Sequence, residues 1–323
     1  MEQPNLFSIA TSELSQDAFL TWLISCADSK NENLTLKNAG RGFVNFLINQ
    51  QINYSKEIVH VSAGRQWNNI DVWAKINDEI LLVIEDKKYT AEHSEQLTRY
   101  KDFAEEWCRD NGFMPVFLFI KTVTQSKSAN SRVENKGFSV IERIDLLNFF
   151  KKLETDNHII SEFFNFLALS QAKEDSFEIL PYTQWTYDSW IGFYGFLDSQ
   201  LDITDWEYVP IGDFIGAWWH FSSWKEYNVY LQIEQGSLCF KIGDVLENHS
   251  QIRNEWYEIL IAKAKDEKQI EIKKPSRFGT GNCMTVAVVE INDWLGAEDR
   301  PIDKTTVIKK LQNYQEFLAR CIK

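Results

Sequence analysis

The sequence predicts an α/β sandwich with a mixed sheet over residues 1–175, followed by a Trp-rich α+β domain over residues 176–323. Three observations carry this reading. Short β-type apolar runs alternate with longer helical patterns in the order α-α-β-β-β-α-β-β-α. Two of those runs, Ile70 to Ile76 and Ile80 to Lys87, flank Asn77-Asp78-Glu79, which is a hairpin signal. A polar stretch, Gln171 to Asp175, is followed by Pro181, and eight of the twelve Trp lie beyond it.

Taken in order, a first helix starts near Ser12 or Ser15, either of which suits an N-cap, and carries Leu14, Ala18, Leu20, Trp22 and Leu23. A second helix, about Ala39 to Gln51, presents Phe43, Phe46 and Leu47. A strand over Ile58 to Val61 and a loop at Gly64 lead into the hairpin. A helix from about Ala91 to Arg109 is closed by Asn111-Gly112, and Pro115 precedes the buried-type strand Val116 to Ile120. Ser126 to Ser131 reads as a polar loop and Phe138 to Ile141 as a short strand. One or two helices fill Ile144 to Leu169. In the second domain Val229 to Ile233, Ser237 to Ile242 and Met284 to Ile291 read as strands, with a Gln235-Gly236 turn. Ile252 to Lys265 and Thr305 to Ile322 read as helices.

Composition narrows the class. The 323 residues are 44% hydrophobic and 25% charged, which is ordinary for a folded globular chain and excludes collagen-like and disordered readings. The start, Met1-Glu2-Gln3-Pro4-Asn5, has neither a basic nor an apolar leader, and the densest apolar run, Val116 to Ile120, is far too short to span a bilayer. Five scattered cysteines without a CxxC pair suggest neither a zinc knuckle nor a disulfide framework. A cytoplasmic protein with no membrane contact is therefore expected.

The net charge of −13 argues at first against a nucleic-acid partner. Its distribution changes that argument. Residues 1–150 hold 16 basic and 20 acidic residues, 151–250 hold 5 and 16, and 251–323 hold 13 and 11. The acidity is concentrated in the middle, so a phosphate path would run along the first domain and the basic stretch at 263–277. There Lys273, Lys274 and Arg277 could grip backbone phosphates, or form only a solvated loop.

The hairpin carries the chemistry. Asp71 stands in Asn69-Ile70-Asp71-Val72-Trp73, and the returning strand ends Leu81-Leu82-Val83-Ile84-Glu85-Asp86-Lys87. Alternation puts Glu85 and Lys87 on the face of Leu81 and Val83, and Asp86 on the other. The hairpin can bring Asp71 beside Glu85. Two carboxylates and a lysine suit Mg2+, a hard cation that takes oxygen ligands and keeps waters. On the next helix Gln96 and Tyr100 share a face, with Arg99 beside it. Glu13 and Asp17 on the first helix could supply a further carboxylate. The bland reading is a solvated hairpin end with a surface ion pair. For Asp86 and Lys88 solvated or loop-bonded positions are expected, and for Asp17 a helix-start charge favoured by the helix dipole. His60 and His93 read as packing residues, Cys26 and Cys108 as core. Trp218, Trp219 and Trp224 read as core rather than as a stacking platform for bases.

Asp71, Glu85-x-Lys87 and Gln96-x-x-x-Tyr100 together resemble the PD-(D/E)XK nuclease superfamily, the last motif being similar to its RecB-type exonuclease branch. The opening Phe7-Ser8-Ile9-Ala10-Thr11-Ser12-Glu13-Leu14-Ser15-Gln16-Asp17 resembles a little-characterised bacterial family within it. The resemblance is best over residues 5–120. It departs in having Ile70, not Pro, before Asp71. It implies a restriction-endonuclease-like αβββαβ core, with Asp71, Glu85 and Glu13 as metal ligands, Lys87 as the catalytic lysine, and Gln96 and Tyr100 as accessory groups. It further implies an Mg2+-dependent phosphodiesterase, with Mn2+ as a substitute, acting on nucleic acid, DNA first, in restriction, repair or defence against phage. Arg99, Lys273, Lys274 and Arg277 are the candidate nucleic-acid contacts. The second domain would set substrate choice, bind a partner or form a homodimer. Two rivals stand beside this reading: an inactive nuclease fold that only binds, and a metal-dependent hydrolase with another substrate.

Overall fold

Five strands organise the N-terminal half of the computed structural model, which describes residues 5–10, 12–89, 95–210, 212–267 and 270–323. The chain divides into two units, 1–124 with 129–172, and 125–128 with 173–323.

The elements of the first half are α1 (Leu6–Ile9), α2 (Glu13–Ser25), α3 (Leu34–Ile48), β1 (Val61–Trp67), β2 (Ile70–Ile76), β3 (Ile80–Lys87), α4 (Gln96–Asn111), β4 (Met114–Lys121), α5 (Lys127–Glu134), β5 (Ser139–Glu142), α6 (Arg143–Lys152) and α7 (His158–Asp175). The sheet order is β1-β2-β3-β4-β5. Neighbours β1, β2 and β3 are antiparallel, whereas β3, β4 and β5 are parallel. The predicted α/β class with a mixed sheet is thus what the chain forms.

Helices cover both faces of this sheet. On one, Val72, Ala74, Ile76, Leu82 and Ile84 join Phe19, Leu23, Phe43 and Phe163 in the larger core. On the other, Leu81, Val83 and Phe119 pack with Leu97, Tyr100, Ala104 and Cys108 of α4 in a smaller one. Helices α2 and α3 approach closely at Gly40, where a Cβ would lie 2.6 Å from Ala27 N and 2.7 Å from Leu23 O. Gly112 closes α4 in the left-handed region at φ 75°, as its position predicts.

Local readings are corrected at β1 and at α5. The strand expected at Ile58 to Val61 begins at Val61 and runs through Gly64 to Trp67. Gly64 pairs with Trp73, whose indole occupies the space a side chain there would need. The β1–β2 hairpin turns at Asn68-Asn69, both with positive φ. The supposed loop at Ser126 to Ser131 lies mostly in α5, a polar helix whose buried residue is Val133. The start of the helix expected from Ala91, with His93, lies outside the described residues; α4 is described from Gln96.

The second unit holds α8 (Tyr187–Gln200), β6 (Ile203–Val209), β7 (Phe214–Trp224), β8 (Tyr227–Glu234), β9 (Ser237–Gly243), α9 (His249–Lys265), β10 (Met284–Val289), α10 (Ile291–Trp294) and α11 (Lys304–Ile322). Its antiparallel sheet has the order β10-β9-β8-β7-β6. Elements α8, β6 and β7 were not expected from the sequence. Trp219 and Trp256 are fully buried and Trp224 packs on Trp256 at 4.9 Å, so these rings build core, as expected of Trp219 and Trp224. No helix among the described residues is long and apolar enough to cross a membrane.

Candidate active site

Strand β3 reads Ile80-Leu81-Leu82-Val83-Ile84-Glu85-Asp86-Lys87, and all eight residues are buried. Five apolar residues suit a central strand. Three consecutive charges in the same burial do not, because a buried charge is costly unless it is paired. Such conflicts between sequence and setting are expected at functional or strained positions, which makes this strand end the candidate site.

Strand alternation decides what each charge meets. The β2–β3 register runs from Ile76 opposite Ile80 to Val72 opposite Ile84, and one step further brings Asp71 beside Glu85. Glu85 and Lys87 continue the face of Leu81 and Val83, toward α4. Lys87 Nζ lies 2.5 Å from Glu85 Oε1 and 3.5 Å from Asp71 Oδ2, so those two oxygens are no more than about 6 Å apart. Gln96, at the first position of α4, donates from Nε2 to Glu85 Oε1 at 2.7 Å and to Tyr100 Oη at 2.6 Å. The structure therefore brings Asp71, Glu85, Lys87, Gln96 and Tyr100 together.

The electrostatics follow from burial and crowding. Burial first, and then the charge of Asp71, push the Glu85 carboxyl up to about 8, against the pull of Lys87. Burial opposes the Lys87 ammonium, but its hydrogen bond to Glu85 and the charges of Glu85, Asp71 and Glu13 hold it above the ordinary lysine value. Tyr100 is raised, by burial above all. One buried oxygen, Glu85 Oε2, has no hydrogen-bond partner.

Asp86 departs from expectation. It is neither solvated nor bonded to a loop but fully buried, toward α2. Its Oδ1 accepts a hydrogen bond from Gln16 Nε2, and Gln16 Oε1 accepts one from Thr122 Oγ1 at 3.3 Å. Asp17, read as a helix-start charge, is also buried and lies within the field of Asp86. Burial and the neighbouring acids raise both carboxyls, Asp17 to about 6. The Asp86 amide donates to Asp71 Oδ2 at 3.2 Å, which joins the two faces.

The remaining residues lie as follows. Glu13 Oε1 accepts from the Lys88 amide at 2.9 Å, and its charge is felt at both Lys87 and Lys121. Lys88 is half-buried, with its ammonium 4.8 Å from the Phe166 ring centre. Arg99 is exposed on α4. Lys273, Lys274 and Arg277 are exposed in the second unit, where Lys273 faces Glu290 at 3.6 Å and Lys274 lies over Phe278 at 4.8 Å. Sequence reasoning missed Gln16 and Lys121. Lys121 is 4% exposed and pairs with Lys87 across β3 and β4, and burial lowers its ammonium to about 8. Its signal was available: a lysine closing a strand of apolar residues.

The donor set can be tested against a cation. Among the described residues no group of three His, Cys, Asp or Glu side chains forms a ready-made metal cluster. What is present is a pair of converging carboxylates, crowded enough to raise one of them, with an orphaned oxygen on Glu85. That arrangement fits a hard divalent ion held by two carboxylates and completed by oxygen ligands from outside the protein, rather than a closed cage.

A mixed sheet whose central strand ends in paired acids and a buried lysine frames this candidate site. The chain belongs to the PD-(D/E)XK nuclease superfamily, whose family model matches residues 4–187. No curated protein and no solved structure matches it.

Proposed function

We propose that the protein is a divalent-metal-dependent nuclease that hydrolyses phosphodiester bonds in DNA, with Mg2+ as the natural ion and Mn2+ as a substitute. The observation that carries this reading is the convergence of Asp71, Glu85 and Lys87 at the end of β3. Family membership supports it.

In this reading Asp71 and Glu85 hold the ion, which when bound polarises a phosphate oxygen and acidifies a water. Glu85 must give up its proton to do so, and Lys87 compensates the resulting charge. With its ammonium between the two carboxylates, Lys87 is placed to orient the attacking water and to neutralise charge gathering on the phosphate. Gln96 fixes the Glu85 carboxylate by donating to it, and Tyr100 fixes Gln96. Glu13 is the acidic partner from α2, balancing the lysines beside the ion. Arg99 and the exposed Lys273, Lys274 and Arg277 are assigned to backbone phosphates, and the second unit to substrate choice or self-association. Five free cysteines suit a reducing compartment, the cytoplasm, and superfamily membership suits a role in defence or repair.

The test is cleavage of single- and double-stranded DNA with Mg2+, Mn2+ or EDTA, for the wild type and Lys87→Ala. Metal-dependent cleavage by the wild type, reduced at least about 100-fold in Lys87→Ala, is expected. Equal cleavage by both would refute the assigned mechanism, and binding without cleavage would favour an inactive fold.

A further inference from the structure

We propose that Lys121 binds a backbone phosphate of the nucleic-acid strand, next to the phosphate held at Asp71, Glu85 and Lys87; this rests on the nuclease reading above. The argument starts from register. Lys87 and Lys121 are direct partners in the parallel β3–β4 ladder, and each is the last residue of its strand. Paired residues project on the same side of a sheet at the same height, and neighbouring strands lie about 4.8 Å apart. The pairing holds to the very end, because the Thr122 amide donates to Lys87 O at 3.2 Å.

Burial adds a second argument. The inward residues before Lys121 on its face are Phe117 and Phe119, both in the smaller core. An apolar residue would continue that packing at no electrostatic cost. A lysine here is instead held in the fields of Glu13 and Asp86 and against that of Lys87. Lys87 and Lys121 thus stand side by side at the carboxyl ends of two parallel strands, with Glu13 acting on both, and such strand ends are where ligands of open α/β sheets bind. Lys87 serves the reacting phosphate, and Lys121, one strand over, serves its neighbour.

A purely structural role for Lys121 as counter-ion to Glu13 and Asp86 would move stability but not the electrolyte dependence of binding. The experiment uses the full chain and a fluorescein-labelled oligodeoxynucleotide of about 20 residues, longer than the ~4–16 nucleotides of a typical single-strand site. Binding is followed by anisotropy in EDTA between about 50 and 200 mM salt, and cleavage kinetics are measured separately with Mg2+. Lys121→Met is expected to weaken binding about tenfold, to reduce the salt slope by about one, and to raise KM with kcat nearly unchanged. Lys121→Arg should retain the slope. Should Lys121→Met fail to fold, judged by circular dichroism, Lys121→Gln carries the same readout. An unchanged slope and Kd in a folded, uncharged variant overturns the assignment of Lys121 alone. A wild type that neither binds nor cleaves DNA overturns the nuclease reading, and this proposal with it.

Discussion

The backbone amide of Asp86 donates to Asp71 Oδ2 at 3.2 Å, while the Asp86 side chain points the other way, into Gln16 of α2. One residue thus fixes an acidic side chain of the candidate centre through its main chain and anchors the strand through its carboxyl. The two roles are separable by mutation.

Asp86→Asn keeps the amide that holds Asp71, and keeps an acceptor for Gln16, but removes an acid from a buried acidic pair. It is expected to melt at the same temperature as the wild type or higher at pH 8. Asp86→Leu takes from Gln16 Nε2 its buried acceptor and should lose about 1–3 kcal/mol. Thermal melts of the two variants check this. An Asn variant as unstable as the Leu variant would show that the negative charge itself is needed.

Glu85 gives the metal-free protein a defined pH response. Its folded value of about 8 lies above the ordinary 4.5, so between these limits the folded state holds a proton that the unfolded state has lost. The contribution of Glu85 to stability therefore falls as pH rises from about 4.5 to about 8, and Asp17 adds the same sign below about 6. His220, lowered by burial, works in the opposite sense below its ordinary 6.5. Melting in EDTA at pH 5, 6.5 and 8, compared with Glu85→Gln, isolates the term: the variant should gain on the wild type as pH rises. Mg2+ should bind more tightly toward pH 8, because the ion competes with that proton. A gap between wild type and variant that stays constant across the range would remove Glu85 as its source.

Two glycines of α3 make a contrast. A Cβ at Gly40 would run into the backbone of Ala27 and Leu23, whereas at Gly42 the nearest atom is Phe149 Cζ at 4.0 Å. Gly40→Ala should therefore cost about 1–3 kcal/mol through overpacking. Gly42→Ala should gain about 0.5–1 kcal/mol from helix propensity. Urea titrations of both variants test the pair, and equal effects would mean that α2 and α3 do not meet at Gly40.

How much of this was readable beforehand depended on whether a feature is local. Asp71, Glu85 and Lys87 could be placed together because a hairpin and a two-residue period settle their faces. Gln96 and Tyr100 followed from the helical spacing. The surroundings of Asp86 were not readable: parity gives its face, but only tertiary packing puts Gln16 and Asp17 there. Helix α8 escaped because Trp190, Ile191, Phe193, Tyr194 and Leu197 are all buried, leaving little one-sided pattern to detect. Strand β1 escaped because Gly64 reads as a breaker until Trp73 is seen to fill its place. Helix α5 escaped for the opposite reason to α8, having almost no apolar face.

The position of β3 has one more consequence. It is the strand at which the sheet changes direction, antiparallel to β2 on one side and parallel to β4 on the other, so Ile84 is laddered on both flanks and Glu85 to Lys87 on the β4 side. A centre built on a mobile loop can melt while the domain survives. Here Glu85, Asp86 and Lys87 ride on a central, fully buried strand, so loss of the centre on heating is expected to coincide with the opening of this sheet rather than to precede it.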